Sequence, residues 1–112
     1  MLGAACLGDI GVHFPDTDAS FKNIDSKILL QQSHDLIKKA GYDIVNIDST
    51  LCLQAPKIKG YVPQMQQAIA GILALQITDV SIKATTTEKM GFVGREEGLV
   101  AYATILLKRI ES

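Results

Sequence analysis

The chain has 112 residues, 47% of them hydrophobic, which leaves room for one domain with one modest core. A net charge of -1, with acids and bases interspersed and no basic stripe, excludes a polymeric nucleic acid as the natural partner, although a single nucleotide is compatible. No apolar run approaches the ~20 residues of a membrane span, Met1 to Gly8 is too short for a signal segment with its flanks, and Cys6 and Cys52, without C-x-x-C spacing, read as reduced core residues of a cytosolic protein.

In chain order, the first polar feature is the Gly- and Pro-rich stretch carrying Asp9, Asp16 and Asp18. Its carboxylates suit a hydroxylated ligand or a cation, and turn formation through Asx geometry is the competing reading. Asp25 to Ala40 has the pattern of an amphipathic helix: Asp25 or Ser26 caps its start, Leu29, Leu36, Ile37 and Ala40 share a face, Lys38 and Lys39 complement its C-terminal dipole, and Gly41 stops it. From Tyr42 to Leu53 the period changes to two, which predicts a strand with Val45, Ile47, Ser49, Leu51 and Leu53 on one side. Ala55-Pro56-Lys57 breaks it. Pro63 then sits near the first turn of a second helix, whose apolar stripe is Met65, Ile69, Ile72 and Leu73 and whose end falls near Leu75. Asp79 to Ala84 and Leu99 to Arg109 read as two further strands, expected to pair as neighbours. This order of elements gives an α+β fold class with the helices packed on one face of a sheet.

Between the last two strands lies Lys83 to Gly98, with three hydroxyls (Thr85, Thr86, Thr87), the Glu88 carboxylate and glycine turns directly behind an apolar strand. Backbone amides and threonine hydroxyls there can donate to phosphate oxygens, and a carboxylate can hold the divalent cation that offsets their charge. Thr85 and Glu88 equally fit a capping box that opens a helix. Lys57 on its own reads as a solvated loop lysine. His13 and His34 are assigned no catalytic role, the second because it lies inside the amphipathic helix, where Ser33 and His34 diverge.

Three blocks, Leu7-Gly-Asp-Ile-Gly11 with Phe14-Pro-Asp-Thr-Asp18, Leu53-Gln-Ala-Pro-Lys57, and the Ala84 to Gly98 run, resemble in order and spacing the 2-C-methyl-D-erythritol 2,4-cyclodiphosphate synthases of non-mevalonate isoprenoid biosynthesis. The resemblance runs from Met1 to the C-terminus, and it implies that the sheet is small and mixed. It implies that Asp9, Ile10 and Gly11 line the pocket for the methylerythritol hydroxyls and phosphate, and that Phe14, Pro15, Asp16, Thr17 and Asp18 contact substrate. Leu53, Gln54, Ala55, Pro56, Lys57, Ile58 and Lys59 would receive the cytosine of a CDP group, largely through their backbone. Ala84, Thr85, Thr86 and Thr87 would hold the diphosphate, with Thr86 as the catalytic, transition-state-stabilising residue. Glu88 would bind a magnesium- or manganese-type cation. Phe92 and Arg95 would approach substrate or the axis of a homotrimer with active sites between subunits; their structural alternatives are a core aromatic and a charged turn residue.

Family members begin with a strand carrying Asp-x-His, and a further His precedes the helix whose last turns resemble Met1 to Leu7. The resemblance therefore implies that residues 1-112 form a single synthase domain without about its first quarter, and without its three zinc ligands. The implied reaction makes the substrate its own nucleophile: in 4-diphosphocytidyl-2-C-methyl-D-erythritol 2-phosphate, the 2-phosphate attacks the β-phosphorus and expels CMP. A catalytically inactive fragment that keeps a CDP-binding loop and oligomer contacts is the alternative, and a nucleotide-binding regulatory module is a third. Zinc content separates the first from the other two. The implied location is the bacterial cytoplasm or, less simply, the plastid stroma.

Overall fold

The computed structural model describes residues 1-15, 17-21 and 24-110. They form four α-helical segments, α1 (Ile10–His13), α2 (Ser26–Lys39), α3 (Val62–Leu73) and α4 (Gly91–Gly94), and three strands, β1 (Tyr42–Cys52), β2 (Val80–Thr85) and β3 (Val100–Arg109). The class is α+β with a three-stranded mixed sheet in the order β2-β1-β3. The last two strands were expected to pair, and they do not: β1 lies between them. The α3 crossover returns the chain parallel to β1, so β2 takes one edge of β1 and leaves β3 the other.

Contacts divide the chain into two compact units, Met1–Val45 with Ile105–Ser112, and Asn46–Thr104. In the first, α2 forms where the sequence places it. The Asp25 side chain accepts from the Lys27 N–H at 2.8 Å, Lys38 and Lys39 occupy the last turn, and Gly41 follows at φ 94°, a conformation that favours glycine. Its buried stripe is Ser33, His34 and Ile37; Ala40, expected on that face, is exposed. The helix turns about one residue further than the leucines alone suggest, because Leu29 and Leu36 are half-buried while the polar pair is covered. The N-terminal segment is a 3-10 turn, Gly3–Ala5, rather than the last turns of an α-helix. Leu2 and Ala5 anchor it, whereas Cys6, at φ 60°, is exposed and not a core residue.

The second unit is a β-α-β arrangement. Ile47 to Cys52 pair with Val80 to Thr85 in parallel register, and α3 packs on β2 through Ala70 and Leu73. The Gln66 amide donates to the Val80 carbonyl at 2.7 Å, fixing the helix against the start of the strand. Leu73 and Val80 are fully buried, worth roughly 1.5–3 kcal/mol each. The helix ends at Leu73, and Ala74 in the left-handed region lets the Leu75 N–H reach back to the Ala70 carbonyl. Along β1 the single apolar face is not observed: Ile44 and Ile47, on opposite faces by alternation, are both buried, and Val45 is exposed.

Candidate functional site

Parallel register brings two chemically distinct runs to one place. Leu51 faces Ala84 and Cys52 faces Thr85, and the Leu53 N–H donates to the Thr85 carbonyl at 3.0 Å. Both strands therefore release their chains together, at the carboxyl ends where open α/β sheets form ligand crevices. A cavity of about 380 Å³ opens there, lined by Leu53, Gln54, Pro56, Lys57, Ile58, Lys59, Ala84, Thr85 and Thr86. Seven Leu53–Lys59 positions were assigned from sequence, and six of them line it; Ala55, joined to Pro56 by a cis peptide, is the exception. Lys57 and Lys59 are exposed at this cavity and supply the positive charge that phosphate oxygens seek.

The threonine run is an open turn. Thr85 closes β2, and no helix starts there, so the capping-box reading of Thr85 and Glu88 fails: the next helix begins at Gly91. The Thr85 hydroxyl donates to the Thr86 carbonyl at 3.2 Å, and the Thr86 hydroxyl accepts from the Glu88 N–H at 3.3 Å. Accepting there leaves Thr86 with a proton to donate, and no acceptor among the described residues takes it. Thr87 closes the following turn, its hydroxyl donating to the Met90 carbonyl at 2.6 Å. Glu88 and Lys89 both adopt left-handed conformations, φ 53° and 66°, and Glu88 is exposed. For residues with a Cβ that conformation costs roughly 1–2 kcal/mol each, so neighbouring contacts must hold it.

Two such contacts converge on Lys89. The Gln54 side-chain oxygen accepts the Lys89 N–H at 3.1 Å across 35 residues of sequence. Gly94 lies so close behind that a Cβ there would sit 2.1 Å from the Lys89 carbonyl carbon. Neither contact was read from the sequence, where the glycines of Gly91 to Gly98 suggested flexible turns, and no local pattern marks either one. Phe92 is half exposed, its ring over Gly98, and is not a core aromatic. Arg95 pairs with Glu97 at 2.6 Å, and both are exposed. Val93 is the buried residue of this segment.

The remaining predicted residues belong to the first unit. Asp9 caps α1, one carboxylate oxygen accepting from the Val12 N–H at 3.0 Å. Asp9 and Ile10 also line a cavity of about 470 Å³ with Leu29, Leu30 and Ser33. Gly11 is in the short helix, and Phe14 lines a smaller cavity with His13 and Lys39. Asp18 accepts from both the N–H and the hydroxyl of Ser20, at 3.0 and 2.8 Å, and these bonds hold its carboxyl below the usual carboxylate range. Pro15 and Thr17 flank Asp16, which lies outside the described residues. His13 bonds the Leu7 carbonyl at 2.6 Å. His34 is buried with no partner for either ring nitrogen among the described residues. Burial, and then Lys38, lower its pKa, while Asp43 and Asp35 act in the opposite direction.

An α+β domain with paired runs at the ends of parallel strands defines the class. The YgbB family profile matches residues 1–108, and the chain belongs to that family. A 2-C-methyl-D-erythritol 2,4-cyclodiphosphate synthase of Bacteroides fragilis is 56% identical over 110 residues, 98% of this chain and 69% of that relative. The bifunctional IspDF of Campylobacter jejuni has 45% identity and a TM-score of 0.94, covering 98% of this chain and 30% of its own. IspF of Plasmodium falciparum, in complex with CDP, has 33% identity and a TM-score of 0.85, with 98% of this chain and 65% of its own covered. The particular activity carried by relatives at 50% to 56% identity is 2-C-methyl-D-erythritol 2,4-cyclodiphosphate synthase, a phosphorus-oxygen lyase. Among the described residues no helix is long and apolar enough to cross a membrane.

Proposed function

We propose that this chain serves the cyclodiphosphate synthase reaction, with the second unit's cavity taking the CDP end of the substrate. The observation that carries the reading is the parallel register that delivers the Leu53–Lys59 and Ala84–Thr86 runs to one cavity. Cytosine would lie against Leu53, Pro56 and Ile58. Lys57 and Lys59 would offset diphosphate charge, and the Thr86 hydroxyl would donate to a β-phosphate oxygen as charge builds there. A new P–O bond forms between the 2-phosphate oxygen and the β-phosphorus. The bond from the β-phosphorus to the CMP oxygen breaks, and CMP leaves with its electron pair. The protein supplies no nucleophile, so its contribution is alignment and charge stabilisation.

The two implied metals fare differently. Magnesium retains several waters and needs one or two protein carboxylates beside substrate phosphates, and Glu88, two residues from Thr86, fits that requirement. Bound there, the cation would neutralise charge on the diphosphate. Zinc needs a converging set of protein ligands; among the described residues no three His, Cys, Asp or Glu side chains converge, and the sequence holds no Asp-x-His. These residues do not fit zinc. Asp9, Ile10 and Gly11 would line the pocket for the methylerythritol hydroxyls and phosphate, and Phe14, Pro15, Asp16, Thr17 and Asp18 would contact substrate. A homotrimer, supported by exposed Leu99 and by exposed Tyr102 on the edge strand β3, and a place in the bacterial cytoplasm complete the reading.

Phosphorus NMR of the chain with the CDP substrate and Mg²⁺, with and without Zn²⁺, tests the proposal; turnover without Zn²⁺ agrees with residues that do not fit zinc, and turnover only with Zn²⁺ overturns that part of the reading. CMP and the cyclic diphosphate are the expected products. A second reading, CDP binding without turnover, is favoured by a cavity built wholly from second-unit residues. Saturable CDP binding with an unchanged substrate spectrum would select it.

A further inference from the structure

We infer that Gln54 is a positioning residue, acting through the Lys89 peptide to hold the Glu88 turn beside the cavity; the inference rests on reading that cavity as a CDP and cation site. Gln54 follows Leu53, whose N–H is already bonded to the Thr85 carbonyl, so its backbone is fixed by the sheet. Its side-chain oxygen accepts the Lys89 N–H at 3.1 Å, linking the end of β1 to the turn beyond β2.

The bond falls where the turn needs it. Glu88 and Lys89 are consecutive left-handed residues, a conformation neither side chain favours. Lys89 is held from one side by the Gln54 oxygen and backed from another by Gly94, which leaves no room for a Cβ. The Glu88 N–H is held in turn by the Thr86 hydroxyl at 3.3 Å. Diphosphate donor and candidate cation ligand thus share one peptide segment, and Gln54 is its tie to the other wall. Without that tie the turn relaxes toward ordinary backbone, and Glu88 leaves its position relative to Thr86. The Leu53–Ile58 wall would be unaffected.

The test uses the ¹⁵N-labelled full chain, with Gln54→Met, which removes the acceptor at similar length, and Gln54→Glu, which keeps an acceptor oxygen. Amide exchange at Lys89 is followed without ligand, Mn²⁺ broadening of the Glu88 and Lys89 amides with CDP present, and CDP affinity without divalent cation by calorimetry. In Gln54→Met, Lys89 exchange should rise and Mn²⁺ affinity fall, each by about two- to tenfold, the range of one net hydrogen bond. Cation-free CDP affinity should fall less than Mn²⁺ affinity does, and Gln54→Glu should recover most of both the exchange and the Mn²⁺ losses. CDP binding with the same Lys89 exchange and Mn²⁺ response in all three forms overturns the inference alone, as does equal loss of CDP and Mn²⁺ affinity in Gln54→Met, which marks Gln54 as a simple substrate contact. A wild-type chain that fails to bind CDP overturns the functional reading and this role with it.

Discussion

The turn beyond β2 and the aspartate stretch of the first unit look alike in sequence, both short, polar and glycine-bearing, yet they are held by different means. Asp9 bonds three residues ahead and Asp18 two residues ahead. The Thr86–Lys89 turn also has local bonds, from the Thr86 and Thr87 hydroxyls, but its left-handed end is tied in addition to Gln54, across 35 residues, and so to the β1–β2 register. Locally bonded turns form wherever their few residues are present. A turn held by distant partners exists only once the sheet has formed, so its geometry should be lost with the second unit's packing while the aspartate turns persist.

The sharpest way to break the comparison is Leu73→Ala. Leu73 is 2% exposed between α3 and β2, and its truncation should cost about 2–5 kcal/mol. Amide exchange should then rise at Lys89 but stay near its original rate at Val12 and Ser20; equal acceleration at all three would remove the distinction. Next in size is Gly94→Ala. A Cβ meets Lys89 backbone rather than a flexible side-chain tip, so the turn must shift, at about 1–3 kcal/mol, read as a lowered unfolding midpoint in urea.

His34→Leu addresses the first unit. Burial holds the folded-state pKa of His34 below the ordinary histidine value, so the unfolded chain takes up its proton first as pH falls. The pH-dependent penalty from this group is absent above about pH 6.5 and grows as pH falls below it, until the folded form also protonates. The leucine variant should be about 1 kcal/mol more stable at neutral pH, since a buried unpaired imidazole is removed, and its stability should vary less between pH 7 and pH 5. Denaturant titrations at both pH values check this. The smallest effect is expected from Asp25→Ala, about 1 kcal/mol for losing the α2 cap, visible as reduced helical circular dichroism near the midpoint.

What could be read from the sequence follows the same division. Both long helices were legible, because Asp25, Gly41 and Pro63 act on their own neighbours and the apolar spacing is local. The runs at Leu53–Lys59 and Ala84–Thr86 were legible as motifs, and their meeting at one cavity follows from register. The strand order was not legible, since a 14-residue gap between β2 and β3 permits a hairpin and nothing within it reveals that β1 takes the intervening place. Thr85 and Glu88 misled for a related reason: their spacing matches a helix start, but the left-handed Glu88 is imposed by a turn whose supports lie elsewhere. His34 was placed correctly in its helix, yet its burial required knowing that the covered stripe runs through Ser33 and Ile37 rather than Leu29 and Leu36.

Among the described residues β2 has one sheet neighbour, β1, and that pairing sets its register, assisted by the Ser49 hydroxyl donating to the Ser81 carbonyl and the Gln66 amide donating to the Val80 carbonyl. A slip of one residue would preserve every helix and strand while sending each side chain of the strand to the opposite face. Such a chain would pass circular dichroism and elute as folded material, and it would still have no site. For preparations of this protein, the fraction that is folded and the fraction that is competent are therefore separate quantities, and ligand titration counts the second.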